Sequence, residues 1–457
     1  MSTPDAIRAV RAISRDLVAL PGSDEYDRLI ASYFTELQRE LKPACFMTPS
    51  SASQVSEILK AIKPFAEPGV TIHLRQLRGI HINKEKETVS VGAGELMGAV
   101  YDAVAAAGLG VVGNRHSSGG IGGDAVQGGL SYFAYARGFV CDNVINYEVV
   151  LADGRIVNAN ADTNRDLWVA LKGGANNFGV VTRFDLRVFP QGQLWGGKVF
   201  YFEPSFSGQI QSLVKYLNSP SPDVDVHICL SLGYTPTGDM LGMNDIFCTK
   251  PQKPKALEPF ADVQPQIEQM KSLRVADLKA LTDEAYAGAV ANRVVKTSIT
   301  VKAELNNLDL LEYAVTTFKE AYSKLKGIEN LLYSITFEPI PVSLIEQSAS
   351  TGGNSLGLKP SDGPLVVILL YSSWDRSNDD KTIYEVNKDA LQAIEAKARE
   401  RNSLSPYLYM NYAFPPNQDA IASYGPEVTA QLQAASKKYD PEGFFQKAGV
   451  GPWKLPA

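Results

Sequence analysis

Residues 108–186 read GLGVVGNRHSSGGIGGDAVQGGLSYFAYARGFVCDNVINYEVVLADGRIVNANADTNRDLWVALKGGANNFGVVTRFDL. At the centre, Gly119-Gly120-Ile121-Gly122-Gly123-Asp124-Ala125-Val126-Gln127-Gly128-Gly129 is the densest glycine run of the chain. Glycine lets a backbone approach a ligand closely, and successive N–H groups can then cradle an anion. A Rossmann turn needs a strand, GxGxxG and a helix in order, with an acid about 20 residues on. Here residues 113–129 read as one long loop, and the stretch behind it, 131–137, is short and aromatic. That reading is therefore set aside. Downstream, residues 144–152, Asp153-Gly154 and residues 155–160 predict a hairpin about a two-residue turn. Residues 166–172 predict a short helix, and 180–189 a strand stopped by Pro190.

Towards the N-terminus, a helix over 96–107 ends at Gly108, and 70–74 and 88–91 alternate as strands. Val55, Ile58, Leu59 and Ile62 have helical spacing, and Thr3-Pro4-Asp5 marks a helix start. Beyond Trp195 the texture changes. Strands are predicted at 226–234, 245–249, 295–301, 331–339 and 365–371, with helices at 308–325 and 380–401. Strands with helices on one side make an α+β sheet domain. The last stretch, 407–457, reads as a strand, a Pro/Asn-rich loop, one helix and a glycine-rich tail.

A chain of 457 residues calls for two or three domains. With 45% hydrophobic and 21% charged residues it is ordinary globular composition. The formal net charge of −6 argues against nucleic acid as partner. The longest apolar run, Val366 to Leu370, is far short of the about 20 residues that cross a bilayer. Cys45, Cys141, Cys229 and Cys248 show no CxxC spacing, and His73, His81, His116 and His227 are scattered. No metal site is expected, and the thiols read as reduced and buried. Arg8, Arg11 and Arg15 interrupt any secretory apolar run, and Asp5 and Asp16 count against a mitochondrial presequence. The expected compartment is cytoplasmic.

Residues 108–186 resemble the berberine-bridge-enzyme-like flavin oxidases, whose FAD-binding domain is of the PCMH type shared with vanillyl-alcohol oxidase. The likeness extends to LPGSDEYDRL (20–29), GGNSLGL (352–358), YMNYAFPPNQD (409–419) and YDPEGFFQ (439–446), and is closest to the fungal branch. It implies an α+β, two-domain fold. Residues 1–193 with 406–457 would form a split FAD-binding domain, and 194–405 a central antiparallel-sheet substrate domain.

Four departures from the family pattern point away from the cofactor. Family members carry a Gly-Gly-His loop that wraps the FAD pyrophosphate, and the segment between Phe65 and Gly69 has no room for it. Asp124 places a carboxylate where a phosphate would lie, which is repulsive. Leu130 stands for a glycine and would narrow the approach, and Val428 stands for the usual Asn after YGPE. The flavin-linking cysteine of some members is also not found around 114–117. The expectation is a protein without cofactor: a flavin-independent cyclase, Diels–Alder-type pericyclase or isomerase of secondary metabolism, folding a polyketide- or alkaloid-like substrate. The alternatives are an FAD-dependent oxidase holding its flavin non-covalently through Gly122, Gly123, Gly128 and Gly129, and a non-catalytic small-molecule binder.

Candidate catalytic groups follow from the same likeness. Asp124 is a carboxylate in a formerly phosphate-binding loop and can serve as acid or base. Glu338, where relatives often have Gln, can protonate a substrate. His116 precedes the glycines, Tyr412 matches the position of a catalytic tyrosine, and Arg115 can pair with Asp124 or a substrate carbonyl. Tyr409 and Trp374 read as core.

Overall fold

A computed structural model describes residues 3–65, 69–286, 292–416, 418–449 and 451–456. Three sheets organise these residues. The smallest joins Val18–Ala19, Cys45–Met47 and Val70–Ile72 near the N-terminus. A six-stranded sheet follows the order Ile80–Asn83, Thr88–Gly92, Val180–Pro190, Val144–Val150 and Ile156–Asn160, with Leu109–Val111 also pairing on Val180–Pro190. The predicted hairpin lies in it: Val150 pairs with Ile156 across Asp153-Gly154.

The third sheet is antiparallel and eight-stranded. Its order is Arg274–Ala276, Leu194–Phe202, Met240–Cys248, Val226–Tyr234, Leu332–Ile340, Leu365–Trp374, Arg293–Lys302 and Leu404–Ser405. Helices Phe206–Leu217, Leu308–Leu325 and Asp380–Glu400 cover one face. Asn244 of the sheet bonds Gln209 of the first helix, and Asn387 of the third donates to Ser372 at 2.9 Å. Ile228, Leu230, Leu232, Ile335, Phe337, Ile368 and Leu370 are buried between these layers. Burial of such side chains, each worth about 1.5–3 kcal/mol, holds the layers together.

Two sequence expectations need correction here. Residues 113–129 are not one loop, because Ile121–Gln127 is helical. Ile121 and Ala125, four apart, are both buried, and that apolar pair outweighs the poor helix propensity of Gly122 and Gly123. The strand expected within 407–457 is the two-residue Leu404–Ser405, ahead of it; Met410–Tyr412 is a 3-10 turn. Among the described residues no helix is long and apolar enough to cross a membrane.

Candidate active site

The face of the eight-stranded sheet turned away from the covering helices carries a cluster of polar side chains, and the strand alternation shows why. Successive side chains on a strand point to opposite faces. On Val226–Tyr234 the apolar positions Ile228, Leu230 and Leu232 face the helices, so His227, Cys229 and Ser231 face the other way. Register carries this across the sheet. Cys229 opposes Asp245, which opposes Lys198, and Ser231 opposes Thr336 with hydroxyls 2.8 Å apart. Glu338 and Lys296 belong to the same face through Val367 and Tyr371.

Arg115, in the loop between Leu109–Val111 and the glycine helix, reaches this face. Its Nη1 donates to Glu338 Oε2 at 2.7 Å and to His227 Nε2 at 3.3 Å. Its Nη2 donates to the Tyr412 hydroxyl. Tyr412 in turn donates to Glu338 Oε2 at 3.4 Å. A guanidinium has only donors, so His227 Nε2 must accept and its proton sits on Nδ1. Burial, reinforced by Arg115, keeps that imidazole neutral. His227 Nδ1 and Glu338 Oε1 are both buried without a hydrogen-bond partner among the described residues. Burial also holds the Tyr412 phenol and the Cys229 thiol in their protonated forms.

Asp124 lies next to this cluster. Asn411 Nδ2 donates to its Oδ1 at 3.1 Å. Burial raises its carboxyl to about 6, against the pull of Arg115 and Lys296. Gly129, with φ of +76°, is glycine for a local reason: a Cβ there would lie 2.6 Å from Asp124 Cβ. Gly128 and Gly129 carbonyls accept from Cys141 and Val140, both at 2.9 Å, so these two glycines shape the turn behind the helix. Gly122 and Gly123 differ. A side chain at either would meet nothing within 4 Å.

The structure thus brings Arg115, Glu338 and Tyr412 together. It pairs Arg115 with Glu338, where the sequence suggests Asp124 or a substrate. His116 is exposed, with its backbone N–H bonded to Asn114 at 2.8 Å. Tyr409 and Trp374 are buried. His227, Asp245, Lys296 and Asn411 were missed. The signal for His227 and Lys296 was polarity at every second position: His227-Ile228-Cys229-Leu230-Ser231 and Lys296-Thr297-Ser298-Ile299-Thr300 carry polar side chains on the face away from the helices.

The family model described as FAD binding domain matches residues 62–160. An FAD-dependent monooxygenase of Cochliobolus heterostrophus is 32% identical over 455 residues, covering 93% of this chain and 88% of that one. The bifunctional solanapyrone synthase of Alternaria solani is 29% identical over 486 residues, covering 98% of this chain and 89% of that one. The solved structure of Physcomitrella patens BBE-like 1 superposes with a TM-score of 0.76 at 18% identity over 99% of both chains, a likeness of fold.

These similarities overturn the expectation of a protein without cofactor, and with it the preference for a flavin-independent catalyst. The FAD binding domain match spans the glycine run, and the Cochliobolus relative is FAD-dependent by name. The physical reasons for the expectation also weaken. Asp124 packs over Gly129, accepts from Asn411 and has Arg115 and Lys296 as neighbouring positive charges, which offset its repulsion of a phosphate. Leu130 is a core residue at 4% exposure and does not narrow the groove. Val428 packs against the same core. The supposed lost loop falls at residues 66–68, outside those described. The residues present fit a flavin: Gly122 and Gly123 give an open backbone surface whose first-turn N–H groups have no intrahelical acceptor.

Proposed function

Because the chain belongs to the berberine-bridge-enzyme-like, PCMH-type family of FAD-linked proteins, we propose that it is an FAD-linked oxidoreductase acting on a hydroxylated small molecule of secondary metabolism. One observation carries the reading. Glu338 is 1% exposed, its Oε2 is taken by Arg115 and Tyr412, and its Oε1 has no geometric hydrogen-bond partner among the described residues, the weak thiol donor of Cys229 lying beside the carboxylate. A thiol is a weak donor, so Oε1 stays open to a stronger one, such as a guest's hydroxyl.

A substrate hydroxyl donates to Glu338 Oε1 and gives up its proton there as the carbon beside it is oxidised. Gly122 and Gly123 would hold FAD, which would supply the two-electron acceptor that this oxidation needs. Arg115 fixes the second carboxylate oxygen, and His227 fixes Arg115. Tyr412, kept protonated by burial, donates to the cluster or to the guest's oxygen. Residues 1–193 and 406–457 are assigned to the flavin side and 194–405 to the substrate side.

A second reading adds a ring-forming step. It is supported by the adjacent donors Arg115 and Tyr412, which suit a carbonyl oxygen whose negative charge grows as a ring closes. Product formed anaerobically without flavin reduction would favour it.

The test is anaerobic mixing of the FAD-loaded protein with hydroxylated aromatic and polyketide alcohols, followed by the loss of flavin colour. Glu338→Gln is expected to slow that reduction by roughly 100-fold with FAD content unchanged. An unchanged rate removes Glu338 from the chemistry.

A further inference from the structure

Lys296 is not used by the mechanism above. It stands on strand Arg293–Lys302, on the polar sheet face, opposite Tyr371. Its Nζ lies 5.4 Å from the centroid of the Tyr412 ring, beside the Arg115–Glu338 pair. Among the described residues it makes no hydrogen bond and no ion pair. The charged and titratable groups that act on it are Arg115, which repels it, Asp124, which attracts it and also accepts a hydrogen bond from Asn411, and the imidazole of His116. Arg115 is neutralised by Glu338 at 2.7 Å. The Lys296 ammonium is thus balanced only at a distance, by Asp124, and its three N–H donors are free among the described residues. The Lys296 side chain is only partly buried, so those donors remain open to a guest.

We infer that Lys296 is the binding site for an ionised acidic group of the substrate, a carboxylate or an acidic enolate, held over Tyr412 next to the oxidised carbon. The inference rests on the proposed oxidoreductase reading for the identity of the site, but its chemistry is separate. An anion there would take up the donors that the fold leaves free. It would also fix the guest at two points, acid on Lys296 and hydroxyl on Glu338 Oε1.

The probe pair is 2,4-dihydroxybenzoate and 2,4-dihydroxybenzamide, which differ in charge and little in shape. Both are titrated calorimetrically into the FAD-loaded protein, so the readout is binding and not turnover. The carboxylate is expected to bind on the order of tenfold tighter than the amide. Lys296→Met should abolish that preference, leaving amide affinity unchanged, and Lys296→Arg should keep it. Equal affinities in the unsubstituted protein, a preference that survives Lys296→Met, or no heat with either compound overturns the inference. A carboxylate preference in a protein whose flavin no alcohol reduces would leave the anion site standing and remove the oxidoreductase reading. Flavin reduction without the preference would do the reverse.

Discussion

Arg115 is 13% exposed in its side chain and Glu338 1%, so their ion pair is largely withdrawn from water. Removing one partner of such a pair strands the other charge, whereas replacing both with apolar groups of similar volume is often neutral. Arg115→Leu is therefore expected to cost about 3–5 kcal/mol in denaturant unfolding, with much of the loss recovered by adding Glu338→Leu. Additive losses would mean that the two groups are not coupled. Asp124 gives a pH-dependent counterpart. Its carboxyl is raised from 3.8 to about 6 in the folded chain. A raised acid stabilises the fold fully at low pH and loses that contribution as pH climbs from the unfolded value through the folded one. Asp124→Asn should thus gain about 3 kcal/mol at pH 7.5 and well under ~1 kcal/mol near pH 4, read from paired unfolding curves. A gain of equal size at both values would show that the effect is packing and not charge.

Elements show what alternation and spacing can and cannot reveal. The helices at Leu308–Leu325 and Asp380–Glu400, and the strands flanking them, were legible because their apolar periodicity is set by one continuous buried layer. The glycine helix was not, because only Ile121 and Ala125 carry its apolar signal and glycine masks the rest. Its glycines serve two purposes, and substitution separates them. Gly129→Ala forces a Cβ to within 2.6 Å of Asp124 and 2.9 Å of Val140 at a positive φ, and should destabilise by about 2–4 kcal/mol. Gly123→Ala meets open space inside a helix, and should raise thermal stability slightly while weakening FAD binding. If Gly123→Ala leaves flavin affinity unchanged, the flavin does not approach that turn.

Across the whole molecule, Arg115 ties together segments 112, 223 and 297 residues away in His227, Glu338 and Tyr412. Glu338, Tyr412 and Arg115 were legible one by one and His227 was not, and contacts over such separations depend on how two sheets face each other. That is why Arg115 was matched with Asp124, its neighbour in sequence. The misjudged cofactor has a related cause. Leu130 and Val428 were read as lining a groove, but a side chain's position on a motif does not say whether it points to ligand or to core, and both point to core. The family, by contrast, was legible from segments spread along the chain. Its consequence is open to one direct measurement: the FAD released by acid from the purified full-length protein after incubation with excess FAD and gel filtration. The account predicts close to one flavin per chain. A protein that stays colourless and releases none would contradict it.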